Sequence, residues 1–256
     1  MTMRGLEGLD VLVTGAASGI GRAIALRLGA EGARVGIFDR DAKGGEDTAA
    51  RILQAGGTAR AWPVDITDLG AVREAVARFE EAFGPTAGLV NSAGWDRAMP
   101  FLETTPELWS RILAVNLIGP LNMHHAVLPG MVARGRGKVV NIASDAARVG
   151  SSGEAVYAAA KGGIVAFTKT LARELARSGI RLNAVCPGPT DTPLFRDFAG
   201  TGERGEKLRR ALERAIPLGR LGRPEDYAGL VCLLLSEDAD YITGQTISVS
   251  GGLTMQ

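Results

Sequence analysis

The feature that most limits what this chain can fold into is the passage from Val11-Leu12-Val13 through Thr14-Gly15-Ala16-Ala17-Ser18-Gly19-Ile20-Gly21 into Arg22–Glu31. Three apolar residues are too few for a helix and suit a buried strand, whereas Arg22–Glu31 has helical composition. A buried strand, a glycine turn and a helix start form the arrangement that holds a dinucleotide pyrophosphate, because free N–H groups at the helix start face the anion. Gly15 would allow the tight turn, Gly19 the approach of a phosphate to the backbone, and Gly21 close packing of helix on strand. The spacing is Gly-x3-Gly-x-Gly and departs from the Gly-x-Gly-x-x-Gly form, so a plain glycine-rich turn remains the alternative at this point.

The same rhythm continues along the chain. Strand-like runs are predicted at Val11–Val13, Arg34–Phe38, Thr58–Val64, Gly88–Val90, Lys138–Ile142, Arg181–Val185 and Thr246–Val249. Helices are predicted at Arg22–Glu31, Gly45–Gln54, Leu69–Phe83, Glu107–Ala133, Ala155–Ser178 and Glu225–Leu235. This alternation, without linker or repeat, predicts an α/β fold: one doubly wound parallel sheet (a Rossmann fold) in a single domain over residues 1–256. Residues 189–216 break the pattern with Pro189, Pro193, Gly200, Gly202 and Gly205 before a charged helical stretch. They read as a lid over substrate or as a plain surface excursion.

Two further signals carry chemistry. The second predicted strand ends at Asp39, where a carboxylate can accept hydrogen bonds from both ribose hydroxyls and repels a 2′-phosphate by about 4 kcal/mol per charge pair at about 4 Å. NAD is therefore expected over NADP, with Arg40 as the residue able to offset that preference. Tyr157 and Lys161, at i and i+4, share one face of the predicted helix Ala155–Ser178. An ammonium beside a phenol favours the phenolate, and with a cationic cofactor ring it is expected to bring Tyr157 near working pH as a coupled pair. Ser144, upstream, can donate to an alkoxide-like oxygen while the phenolate takes a proton and a nicotinamide takes the hydride.

Taken together, these residues resemble the short-chain dehydrogenase/reductases, from Thr14 to Gly252. The pieces that match are Thr14–Gly21, Asp65, Asn91-Ser92-Ala93-Gly94, Asn116, Ser144, Tyr157-x3-Lys161 and Pro187-Gly188. The resemblance implies that Asn116, Ser144, Tyr157 and Lys161 are catalytic, Asn116 positioning a water for a relay through Lys161. It implies a cofactor site of Gly15, Ser18, Gly19, Ile20, Gly21, Asp39, Asp65, Ile66, Asn91, Ala93, Gly94, Tyr157, Lys161, Pro187, Gly188, Thr190 and Thr192. In that site Asp65 would meet the adenine edge, Asn91 would shape the strand end beside the ribose, and Thr192 would touch the carboxamide. A homo-oligomer, dimer or tetramer, is implied as well, with His124 and His125 on a helix packed in a subunit interface.

Substrate is less constrained. Trp95, Met99, Phe101, Leu194, Phe195 and Phe198 either wall a pocket for a ring or acyl chain or are ordinary packing. Arg196, Arg204, Lys207, Arg209, Arg210 and Arg214 either meet the phosphates of a coenzyme A thioester or form a solvated helix face. Met123–Gly130, Ala143–Tyr157 and Cys186–Thr192 resemble family members that oxidise a ring hydroxyl beta to a CoA thioester with NAD. A 3-oxoacyl-carrier-protein reductase using NADPH and a non-enzymatic NAD-binding regulator are the alternatives.

Composition excludes other classes. A formal net charge of +1 gives no reason to expect a nucleic-acid partner or a membrane surface. Met1–Asp10 lacks the apolar core of a signal peptide and no run is long enough to span a membrane, so a cytoplasmic enzyme is expected. The two cysteines, Cys186 and Cys232, have no metal-type spacing and read as small buried hydrophobes, so no metal is expected.

Overall fold

The structure, a computed structural model, describes residues 3–200 and 202–255, with the side chain of Arg204 outside the described part. Seven parallel strands form one sheet: β1 (Asp10–Thr14), β2 (Arg34–Asp39), β3 (Thr58–Pro63), β4 (Gly88–Asn91), β5 (Gly137–Ile142), β6 (Ile180–Pro187) and β7 (Thr246–Val249). Their order is β3-β2-β1-β4-β5-β6-β7. The expected single-domain, doubly wound α/β fold is therefore present.

Strand pleat explains the two-sided core. Val11 and Val13 on β1 point to one face, with Val35, Ile37, Val90, Val140 and Val185. Leu12, between them, points to the other with Leu89, Val139 and Leu182. The first face is covered by α1 (Gly19–Ala30), α2 (Ala42–Gln54) and α10 (Glu225–Leu235), through Ile24, Leu28, Ile52, Val231 and Leu235. The second is covered by α3 (Leu69–Phe83) and α5 (Gly119–Arg134), and by Ala172 of α7 (Ala155–Leu175). Phe79 of α3 sits directly on β2 because Gly36 has no Cβ; one placed there would lie 2.5 Å from its ring. Burying such a ring contributes about 1.5–3 kcal/mol, and edge contacts to Trp62 and Phe83, at centroid distances of 5.6 and 5.4 Å, fix its orientation.

Several boundaries differ from the sequence reading, three of them for clear local reasons. Helix α2 begins at Ala42 rather than Gly45, because the Asp41 side chain accepts from the Gly44 N–H and caps the helix earlier. Ala155–Ser178 is α-helical to Leu175 and closes as a 3-10 turn over Ala176–Ser178. The expected helix Glu107–Ala133 is α4 (Pro106–Leu113), a π turn over Ala114–Ile118, and then α5. The cause is Asn116, whose amide donates to the Ile112 carbonyl at 2.9 Å and the Trp95 carbonyl at 2.6 Å, so the helical ladder opens around it. The short α6 (Ala146–Val149) is an added element. Residues 189–216 contain α8 (Pro193–Ala199) and α9 (Glu203–Ala215).

Candidate active site

The strand order reverses between β1 and β4, and their carboxyl ends open on one side of the sheet. A crevice at such a reversal is where doubly wound sheets bind ligands. Thr14, the last residue of β1, joins the two ends: its Oγ1 accepts from the Ser92 and Ala93 N–H groups, each at 3.1 Å. Above this junction lies a cavity of about 710 Å³, lined from the glycine turn at one end to Tyr157 and α8 at the other.

The glycine turn is built for close approach. Gly15 has φ 66°, and a Cβ there would lie 2.6 Å from the Ala93 Cα. A Cβ at Gly21 would lie 2.3 Å from the Gly15 carbonyl oxygen, so the third glycine lets α1 press against the turn itself. Gly19, φ 54°, faces Thr192. Ser18 is the N-cap of α1 without a side-chain capping bond, which leaves the helix start directed at the cavity wall formed by Gly19, Ile20 and Gly21. Asp39 ends β2 on that wall. One carboxylate oxygen accepts from the Ala17 N–H and the other from the Asp41 N–H, both at 2.9 Å, which fixes the carboxylate across the turn. Arg40, Asp65 and Ile66 continue the wall; Asp65 is held below the ordinary carboxylate range by the backbone and side chain of Thr67.

Ser144, Tyr157 and Lys161 meet at the other end. Ser144 follows β5, while Tyr157 and Lys161 rise from the first turns of α7. The Ser144 hydroxyl lies beside the Tyr157 phenol and favours its charged form, and the Lys161 ammonium lies 5.6 Å from the phenol ring centroid. Lys161 is 3% exposed and donates to the Ile142 carbonyl at 2.9 Å. Burial takes this lysine down to about 8 and pushes the tyrosine well above its ordinary range, with Glu154 and Asp96 opposing the phenolate further. In the protein alone, burial is the largest influence on the phenol and disfavours its charged form.

Ala93, Gly94, Pro187, Gly188, Thr190 and Thr192 all reach the cavity, as expected. Thr190 is buried, bonded to Gly188 and to the Tyr227 hydroxyl, while Thr192 caps α8 by accepting from the Phe195 N–H. Asn91 and Asn116 stand behind the wall. Asn91 donates to Asn141 at 2.8 Å, and Asn116, fully buried, touches the back of Gly94 and accepts from the Trp95 N–H at 3.3 Å.

Of the six apolar candidates, Trp95, Leu194, Phe195 and Phe198 line the cavity; Met99 and Phe101 face a small crevice beside it, Phe101 stacked on Trp109 at 5.5 Å. His124 is 1% exposed within a single chain, its Nδ1 donating to the Pro120 carbonyl and its ring edge-on to Phe167, so its own side chain packs in the core. Burial lowers it to about 4. His125 is exposed beside Arg73. Arg196 and Arg209 are both paired with Asp191, leaving Lys207, Arg210 and Arg214 as exposed cations along one face of α9; Arg204 lies outside the described side chains. Cys186 and Cys232 are buried thiols, and among the described residues no three potential ligands converge on a metal position. No helix among them is long and apolar enough to cross a membrane.

The sequence reading missed Asp96, Ser151, Glu154, Leu253 and Thr254, all of which line the cavity. Asp96 and Glu154 could have been found from their closeness in sequence to Gly94 and Tyr157. Leu253 and Thr254 could not, since only the tertiary fold brings the carboxyl end across.

Comparison with known proteins accords with this geometry. Residues 15–254 match the family model described as Enoyl-(Acyl carrier protein) reductase. The chain belongs to the short-chain dehydrogenase/reductase family. It is 40% identical to a mouse (Mus musculus) protein named (3R)-3-hydroxyacyl-CoA dehydrogenase, the match covering 98% of each chain. It is 36% identical to a Thermotoga maritima 3-oxoacyl-acyl-carrier-protein reductase, over 98% of this chain and 99% of that one. The solved structure of a candidate gluconate dehydrogenase from Agrobacterium tumefaciens superposes with a TM-score of 0.93 at 32% identity, covering 99% of this chain and 98% of that one. As a member of this family the chain is an oxidoreductase that works with a nicotinamide cofactor.

Proposed function

We propose that the protein oxidises a secondary alcohol to a ketone with NAD, and that its substrate is a cyclic 2-hydroxyacyl-CoA of the 2-hydroxycyclohexanecarboxyl-CoA type. The observation that carries the reading is one cavity with a glycine turn and Asp39 at one end and Ser144, Tyr157 and Lys161 at the other. The residues fit a dinucleotide. Gly15 lets the turn pack against the backbone of Ala93, Gly19 leaves the backbone bare for a phosphate, and the start of α1 faces it. Asp39, Asp65 and Ile66 would hold the adenosine half; Ala93, Gly94, Tyr157, Lys161, Pro187, Gly188, Thr190 and Thr192 would hold the nicotinamide half. Asn91 supports that strand end from behind.

When bound, the nicotinamide supplies the hydride acceptor and the positive charge that favours the phenolate. Ser144 then donates a hydrogen bond to the carbinol oxygen while Tyr157 takes its proton. The Lys161 charge stabilises the phenolate, and Asn116 supports a water path behind Gly94. Helices α8 and α9 act as the lid that excludes water. The apolar wall of Trp95, Leu194, Phe195 and Phe198 suits a ring, and the exposed Lys207, Arg210 and Arg214 suit the phosphates of coenzyme A. The mouse relative's name, a hydroxyacyl-CoA dehydrogenase, supports the thioester. We place the enzyme in the cytoplasm as a dimer or tetramer.

A second reading, reduction of a 3-oxoacyl group with NADPH, is favoured by Arg40 on the cavity wall and by the name of the Thermotoga relative. Against it stands Asp39, at about 4 kcal/mol of repulsion toward a 2′-phosphate at about 4 Å. Turnover with NAD and with NADP across cyclic, aromatic and acyl-CoA alcohols decides between them; a clear NADP preference removes the first reading. Tyr157→Phe is expected to lower kcat by about 10³-fold with nucleotide binding kept, and turnover that survives would show a non-enzymatic or differently catalysed role.

A further inference from the structure

Asp96 and Glu154 have no part in that proton transfer and work against it, since each disfavours the phenolate. Both line the main cavity with Ser144, Ser151 and Tyr157, and both also face the small crevice beside it. Their segments are joined by the Met99 N–H, which donates to the Gly153 carbonyl at 2.9 Å. Asp96 Oδ2 has almost no exposed surface and no hydrogen-bond partner. Among the described residues neither carboxylate takes part in an ion pair. The nearby cation Arg111 is stacked on Trp95, 3.9 Å from the ring centroid. A desolvated carboxylate without a cation repels any anion brought beside it and tolerates a neutral group or a hydrogen-bond donor.

We propose that Asp96 and Glu154 form a charge filter on the substrate wall, rejecting alcohols that carry a carboxylate beside the carbinol carbon and admitting their neutral thioesters or esters. This rests on the alcohol-oxidising reading of the cavity and adds a specificity rule to it. It also places the reaction after a carboxyl-activating step: a free hydroxy acid has to be converted to a thioester before this enzyme can use it. Burial lifts Asp96 to about 6, so the carboxylate is still ionised at pH 8.

The test compares NAD-dependent oxidation, at about pH 8, of 2-hydroxycyclohexanecarboxylic acid, its methyl ester and its N-acetylcysteamine thioester. The wild-type protein should favour the two neutral compounds over the free acid by at least about 100-fold in kcat/KM. Asp96→Asn and Glu154→Gln should each reduce that ratio at least about tenfold by raising turnover of the acid, and Asp96→Glu should restore it. A measurement on the unaltered protein backs these variants: cyclohexanecarboxamide should inhibit ester oxidation with a Ki at least about tenfold lower than cyclohexanecarboxylate. Ester oxidation with an unchanged ratio in both variants, or equal inhibition by the amide and the acid, overturns the filter and leaves the oxidation reading standing. Absence of turnover with every neutral alcohol, with either nucleotide, removes that reading and the filter with it.

Discussion

The glycine turn and the proposed lid, α8 and α9, both wall the cavity, and they are held by opposite means. The turn is fixed by backbone contact: positions 15 and 21 have no room for a Cβ, and Thr14 and Asp39 tie the turn to neighbouring strands through backbone N–H groups. The lid is fixed by side-chain charge. Arg196 and Arg209 share Asp191, Arg209 also reaches Glu213, and α8 buries none of its residues. Backbone constraint gives a rigid template for an invariant ligand, whereas solvent-exposed ion pairs contribute little and release easily. On the proposed reading, the nucleotide end is therefore a fixed mould and the substrate end an adjustable one.

The most direct way to break this contrast is to fill the mould. Gly21→Ala places a methyl against a carbonyl that cannot move away. It is expected to cost about 4 kcal/mol of stability and to abolish nucleotide binding, read by urea unfolding and NADH fluorescence titration. Near wild-type values in both would show that the turn is softer than its geometry indicates.

A second experiment probes the framework under the mould. His124 is buried neutral at about 4, below its unfolded value near 6.5, so the unfolded chain takes up this proton first as pH falls. Its contribution is fully present above about pH 6.5 and is lost progressively down to about pH 4, a change of about 3 kcal/mol. His124→Gln should remove that component, so that unfolding free energies of variant and wild type converge in acid. Parallel pH slopes would refute it.

The smallest effect is expected at the lid. Asp191→Asn frees Arg196 and leaves Arg209 with Glu213 alone, and should change stability by less than about 1 kcal/mol while raising substrate KM a few-fold at nearly constant kcat. If it destabilised the fold as much as Gly21→Ala, the distinction between the two ends would disappear.

The same difference explains what could be read from the sequence. Strand positions, the glycine turn, Asp39 and the Ser144–Tyr157–Lys161 set were legible because each depends on short-range backbone geometry or on helical spacing. The π turn was not, since a single amide, Asn116, opens a helix whose apolar pattern continues through it. The burial of His124 was not legible either, since no local pattern reveals which side of its helix faces the sheet. The strength of burial around the phenol was hidden for a related reason: spacing shows which charges are close, but not how much water they lose.

The carboxyl end carries a practical consequence. Gly251 and Gly252, both at positive φ, turn the chain so that Leu253 and Thr254 close one side of the cavity, with the Thr254 N–H held by Ser250. Substitutions at Leu253 or Thr254 would therefore be felt at the doorway of the cavity, although both lie far along the chain from every other residue that shapes it.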